Sequence, residues 1–145
     1  ITVGSLRKKG YIKSLTKNKI AVDESLIYKI DDKESLYDQI KKAINVPNPP
    51  DAILAVNEIY AAIALKIAKE SGLKIPEDIA IIGFTSGLIS EYTDPPLTCV
   101  EQHGFLMGKQ VAELLINRIE STAPSEFQKI VISPNLKIRK STLDN

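Results

Sequence analysis

Apolar residues recur at helical steps in four stretches of the chain and in unbroken short runs between them. From Leu6 to Lys17, the residues Leu6, Tyr11, Ile12 and Leu15 fall near helical spacing with lysines between them. The pattern predicts a helix, weakened by about 1 kcal/mol at Gly10. Leu26 to Ile30 is short, apolar and bounded by charge, which predicts a strand. Lys33 to Asn45 then places Leu36, Ile40 and Ile44 four apart, the mark of a one-sided helix with Asp32 as its N-cap. Pro47, Pro49 and Pro50 end that helix, because each removes a backbone donor and clashes with the preceding turn. Ala52 to Val56 and Ile79 to Ile82 are apolar at every position, as strands of a parallel sheet covered on both faces are. Between them, Glu58 to Ser71 predicts the best helix of the chain, with Asn57 as N-cap and Gly72 just past its end. Its apolar residues exceed a single stripe, so it needs a second partner: a deeper core or another subunit. Leu97 to Val100 reads as a strand, and Phe105 to Glu120 as a long helix with Met107, Val111, Leu114, Leu115 and Ile119 along one face. A polar loop from Ser121 to Glu126 leads to short strands at Ile130 to Ile132 and Leu136 to Ile138.

This alternation of helix and strand is that of an α/β fold, a doubly wound and mainly parallel sheet with right-handed crossovers. Ligands in such folds sit beyond the carboxyl ends of the strands. The residues there are Asp31 and Asp32, Asn57 and Glu58, and Gly83 through Ser86.

Composition narrows what such a site can do. The 145 residues suffice for one domain with a core. Nineteen Lys and Arg against 18 Asp and Glu leave a net charge of +1, with no footprint for duplex DNA or an anionic membrane. Any DNA contact would therefore lie outside these residues. No apolar run approaches the roughly 20 residues of a membrane span. His103 is the only histidine, so a two-histidine zinc site and a Ser-His-Asp triad are both poorly supported, and no metal is expected. Cys99, the only cysteine, falls inside an apolar strand, where burial raises a thiol pKa and argues against a thiol-imidazole pair with His103. Neither glycine-rich nucleotide motif is present, so no cofactor is expected. Glu77 and Asp78 are adjacent in a short loop and read as solvated charge. What remains is a rim of polar residues, Asp31, Asn57, Thr85 and Ser86, with Arg7 at the start of the first helix. Arg, Asn and Asp offer fixed forks of donors or acceptors to hydroxyls and carboxylates, which favours a module binding a small polar ligand over an enzyme.

Four motifs carry a resemblance. Arg7-Lys8-Lys9-Gly10-Tyr11, the run from Pro50 to Glu58, the run from Gly72 to Phe84, and Pro95 to Gln102 together resemble the lactose/galactose repressor family of bacterial transcription regulators. The resemblance implies a periplasmic-binding-protein-like lobe, two lobes closing on an effector, and a homodimer reading operator DNA through a separate helix-turn-helix headpiece in the cytoplasm. On this reading residues 1–145 are the C-terminal part of the effector-binding and dimerisation core. Residues 103–133 then cross to a first lobe that is not included, and the headpiece is absent, in keeping with a chain that begins at Ile1 rather than Met. The implied function is coupling of sugar or sugar-like effector binding to operator affinity, without catalysis. The alternative within the same fold is an exported solute-binding protein of a sugar transporter.

By the same resemblance, Arg7 meets ligand hydroxyls or a carboxylate and Asn57 faces the pocket, while Glu58 replaces the usual Asp. Asp31 falls where many members place an aromatic or polar pocket residue. Thr85, followed by Ser86, stands where many members carry an Asp that takes two sugar hydroxyls. A neutral hydroxyl cannot supply two charged acceptors, which points to an anionic sugar derivative using Arg7. The helix from Glu58 and the segment Gly87 to Tyr92 match the family's dimer surface, giving Ile59, Ala62, Ile63, Leu88 and Ile89 as interface residues. The helix from Phe105 to Ile119 is expected to expose an apolar face.

Overall fold

The computed structural model describes residues 3–30, 33–121 and 126–142. Helix α1 (Val3–Lys17) and a 3-10 turn at Glu24–Leu26 precede α2 (Lys33–Ile44). Then come β1 (Ala52–Ala55), α3 (Glu58–Glu70), β2 (Ala80–Phe84), the short α4 (Leu88–Tyr92) and β3 (Thr98–Glu101). Helix α5 (Gly104–Glu120) and β4 (Asn135–Lys137) complete the chain. The four strands form one sheet in the order β1-β2-β3-β4. The first three run parallel, and β4 returns antiparallel beside β3 with Val100 opposite Leu136.

The core lies between this sheet and α3. Ala61, Ala64, Ile67 and Ala68 of that helix are buried against Ile79, Ile81, Leu97 and Cys99. Small residues let the layers close up: a Cβ on Gly83 would lie 3.0 Å from the Ala61 Cβ and 3.6 Å from the Cys99 Sγ. Leu36 and Ile44 of α2 are buried as well, with Ile40 packed against the same core. The breadth of apolar residues on α3 is thus largely answered by the core, and Ala62 and Ile63 are half-buried against it.

Helix α3 is closed at both ends by the residues its sequence suggests. Asn57 Oδ1 accepts from the Tyr60 amide at 2.8 Å. At the other end Gly72, at φ +79°, donates to Lys69 O and Leu73 donates to Ala68 O, both at 3.0 Å. This pair of bonds satisfies carbonyls that the helix leaves open, and the turn needs the left-handed backbone glycine adopts freely.

The tail is pinned by one buried residue. Ser141 Oγ donates to Ile81 O at 2.5 Å and accepts from Thr98 N at 2.8 Å, while the Ser141 carbonyl takes the Ile81 amide at 2.8 Å. Among the described residues no buried side-chain polar atom lacks a partner.

Three expectations need correction. Leu26 to Ile30 is not a strand: Asp23 Oδ1 accepts from both the amide and the hydroxyl of Ser25, winding Glu24–Leu26 into a 3-10 turn, and residues 27–30 join no ladder. Ile130 to Ile132 is likewise unpaired, since the edge of β3 is taken by residues 135–137, beyond Pro134. The third is coverage of the sheet, which is not deep on both faces. Away from α3, Leu54 and Val56 remain exposed, and α1 and α5 contain no buried residue. Helix α4 was not foreseen, and the capping role of Asp32 lies outside the described residues.

Candidate functional site

Where β1, β2 and β3 end, their last residues and the residues just beyond them meet the side chain of Arg7, carried across by α1. One Arg7 Nη donates to the Val56 carbonyl past β1, and the other to Gln102 Oε1 past β3 at 3.3 Å. The guanidinium lies over the ring of Phe84, the last residue of β2, 4.3 Å from its centroid. Gln102 Nε2 in turn donates to Thr85 Oγ1 at 2.9 Å. Burial lowers the Arg7 pKa from its ordinary value, and no carboxylate among the described residues pairs with it. Arginine keeps its charge regardless, so this cation is only partly solvated and faces neutral oxygens and a π-face.

Arg7 and Gln102 line a cleft of about 600 Å³ on the sheet face away from α3. Leu54, Phe84 and Val100 form its floor, and Tyr11 of α1 and Met107 of α5 stand at its sides. Its walls are mostly apolar, with Arg7, Gln102, Tyr11 and Ser14 as the polar groups among them.

Of the residues expected at the site, Arg7 and Thr85 are brought together through Gln102. Thr85 adopts φ +74°, a left-handed backbone that a β-branched residue rarely takes, and its amide donates to Val100 O at 3.0 Å. Asn57 follows directly on Val56, and its Oδ1 is committed to the α3 cap. Its side-chain nitrogen makes no hydrogen bond among the described residues. Ser86 turns to a different network: its Oγ accepts from Arg139 Nη2 at 2.9 Å. Asp31 lies outside the described residues.

Arg139 also donates to Leu97 O at 2.7 Å and to Glu91 of α4 at 3.2 Å. The middle of α4 is held by Glu58, whose Oε1 accepts from the amide and hydroxyl of Ser90 at 2.8 and 3.0 Å. The acid at position 58 therefore positions α4. Ile59, Leu88 and Ile89 stay exposed on α3 and α4, together with Tyr92.

Gln102 was not singled out as a site residue, and Phe84 entered only within the strand-end run Gly83 through Ser86. The strand-end rule, extended past the third parallel strand, would have found Gln102. Arg139 reaches Ser86 from 53 positions away, and nothing local to it signals the contact. His103 caps α5 with a left-handed backbone while Cys99 is buried in β3, and among the described residues no metal-ligating cluster occurs. No helix among the described residues is long and apolar enough to cross a membrane.

Residues 2–142 match the periplasmic binding protein-like domain family. The chain is 30% identical over 144 residues to the HTH-type transcriptional regulator CelR of Thermobifida fusca, covering 97% of this chain and 42% of that protein. In structure it is similar to a CelR–cellobiose complex, with a TM-score of 0.80 at 31% identity over 95% of this chain and 42% of that one. The lac repressor dimer bound to operator and the anti-inducer ONPF is similar with a TM-score of 0.75 at 29% identity, covering 97% and 48% of the respective chains. A LacI-family regulatory protein from Chloroflexus aggregans gives a TM-score of 0.83 at 29% identity over 94% and 49%. The chain thus spans about two fifths of the length of the curated regulator it matches.

Proposed function

The chain belongs to the periplasmic binding protein-like domain family, in the form that LacI-type regulators carry, and on that premise we propose that it senses a small-molecule effector for a DNA-binding transcription regulator. The observation that carries this reading is the junction of Arg7, Gln102 and Thr85 at three consecutive strand ends, opening on a cleft of about 600 Å³. The similar CelR structure is a complex with cellobiose, and the similar lac repressor is bound to operator, which supports a sugar or sugar-like effector and operator DNA as partners here. No step of the reading is catalytic: the relatives reported above are regulators, and among the described residues lining the cleft Arg7 has no general base beside it. A regulator of this kind works in the cytoplasm. The same relatives favour it over the exported solute-binding alternative.

In this reading the effector acts by its differential affinity for two arrangements of the regulator, and operator affinity follows by linkage. Ile59, Leu88 and Ile89, flanked by the half-buried Ala62 and Ile63, form the homodimer surface. Helix α5, exposing Phe105, Val111 and Ile119, packs on a further part of the effector-binding core. Asn57 offers its side-chain nitrogen to the effector while its oxygen caps α3.

Thermal unfolding of the full-length gene product with a panel of sugars and sugar derivatives tests the site. A true effector at 100 times its Kd stabilises the folded state by about 2.7 kcal/mol. Arg7→Met is expected to abolish that gain, whereas an unchanged gain in the variant contradicts the assignment of the cleft.

A further inference from the structure

We infer that Arg139 is a positioning residue that ties the turn between β2 and α4 to α4 itself, so that a displacement of Thr85 beside the cleft reaches the apolar residues that α4 exposes. The inference goes beyond the function proposed above and rests on it only for what the cleft and that apolar face are used for. Its ground is the way the turn divides. Thr85 Oγ1 accepts from Gln102 Nε2 at 2.9 Å on the side of the cleft, while the next residue turns away and Ser86 Oγ accepts from Arg139 Nη2 at 2.9 Å. Gly87 follows as the N-cap residue of α4, and a Cβ there would crowd the Glu58 carboxylate that holds Ser90, at 2.6 and 2.9 Å. Two adjacent side chains thus face two separate networks, and a single residue lies between them and the helix.

Arg139 is firmly rooted. Its amide donates to Thr98 Oγ1 at 2.8 Å, its carbonyl accepts from the same hydroxyl at 3.0 Å, and Thr98 is buried at the start of β3. From that root the guanidinium donates to Leu97 O at 2.7 Å, to Ser86 Oγ at 2.9 Å and to Glu91 Oε1 at 3.2 Å, the last two through one nitrogen. The side chain is only 15% exposed. A planar fork gives its donors fixed directions, so Ser86 cannot move far without losing its bond or turning the same group away from Glu91. Thr85 holds the turn from the other side. Its φ of +74° is costly for a β-branched residue and is kept by its amide on Val100 O and its hydroxyl on Gln102. Release of the Gln102 bond frees the turn to relax, and Arg139 passes that relaxation to Glu91, which stands between the exposed Ile89 and Tyr92.

The test is a double-mutant cycle read by hydrogen exchange across residues 88–93 of the full-length gene product, where the Thr93 amide donates to Ile89 O at 3.0 Å. Gln102→Ala releases Thr85, and Ser86→Ala cuts the turn from Arg139 while leaving Arg139 on Leu97 and Glu91. Gln102→Ala alone is expected to speed exchange in this segment by at least about twofold, and to have no such effect where Ser86→Ala is already present. Arg139→Lys should behave in the cycle as Ser86→Ala does, because an ammonium lacks the planar fork that reaches Leu97, Ser86 and Glu91 together. Effects of Gln102→Ala and Ser86→Ala that simply add would give Arg139 a structural role alone and overturn the inference, as would wild-type exchange in Gln102→Ala. Every comparison is made without an effector, so the thermal-unfolding result that decides whether the cleft is an effector site stands apart from this one.

Discussion

Arg7 is held by two neutral oxygens and a ring, Val56 O, Gln102 Oε1 and Phe84, beyond the ends of three neighbouring strands. Two neighbours of Arg7 permit separable tests of structure and binding. Asn57→Ala should cost about 1 kcal/mol by removing the α3 cap, whereas Asn57→Asp keeps the accepting oxygen and most of the stability. Both lose the side-chain nitrogen, so both should weaken effector binding; equal affinity in Asn57→Asp and the wild type would remove Asn57 from the site. Thr85 at φ +74° is a β-branched residue in a region costing about 1–2 kcal/mol for L-residues, which Asn tolerates better. Thr85→Asn is therefore expected to raise the denaturant midpoint, and a lowered midpoint would show that the Gln102 contact outweighs the backbone cost. Glu101 sets a pH dependence. Burial pushes its carboxyl pKa up, but the His103 amide at 3.1 Å and Lys137 at 3.5 Å outweigh that, and the pKa lies below its ordinary value. A depressed carboxylate contributes stability above its unfolded pKa, lost as the pH falls through the folded one. Glu101→Gln should flatten the acid limb of the stability profile, and an unchanged limb would assign that slope to other groups.

At the scale of elements, α4 is the clearest case of structure set by distant residues. Five residues do not hold a helix by propensity, and α4 is fixed instead by Glu58 at Ser90 and by Arg139 at Glu91. Glu58→Ala leaves the buried Ser90 amide and hydroxyl without that acceptor and should cost about 1–3 kcal/mol, with faster amide exchange confined to α4. Exchange that rises equally throughout the domain would mean that α4 is not a separate unit. The same contrast separates what was legible in the chain from what was not. Helices α2, α3 and α5 and strands β1 to β3 follow from periodicity, caps and apolar runs, all local signals. Gly72 and Asn57 mark the ends of α3 for reasons of backbone geometry that a single residue carries. The strand expected at Leu26 to Ile30 failed because pairing requires a free neighbouring edge, and the local hydrogen bonds of Asp23 favoured a turn. The site was half legible: Arg7 and Thr85 meet, but only through Gln102, and Ser86 belongs with Arg139, a partner 53 residues on that no local pattern indicates.

Across the whole molecule, exposed apolar residues lie on both sides of the sheet. The cleft lined by Arg7 lies on one face of the sheet, α3 and α2 close the other, and beyond them Leu88 and Tyr92 stand 73% and 81% exposed near Ile59. An exposed apolar surface of this kind is what an interface would cover. Leu88→Glu with Ile59→Lys should convert a dimer to monomer in sedimentation velocity while leaving calorimetric effector binding intact; a persistent dimer would move the interface elsewhere. On the function proposed, sensing and assembly lie on opposite sides of one layer, and effector occupancy and operator affinity are joined by a coupling free energy. Fluorescence anisotropy of the full-length gene product on DNA from its own promoter, with and without the stabilising sugar or sugar anion, in wild type and Arg7→Met, tests this most directly. The expected result is a shift in operator affinity of about 5- to 150-fold in the wild type and none in the variant. An operator affinity that no such compound moves, or that moves equally in Arg7→Met, would contradict the assignment of effector sensing to this cleft.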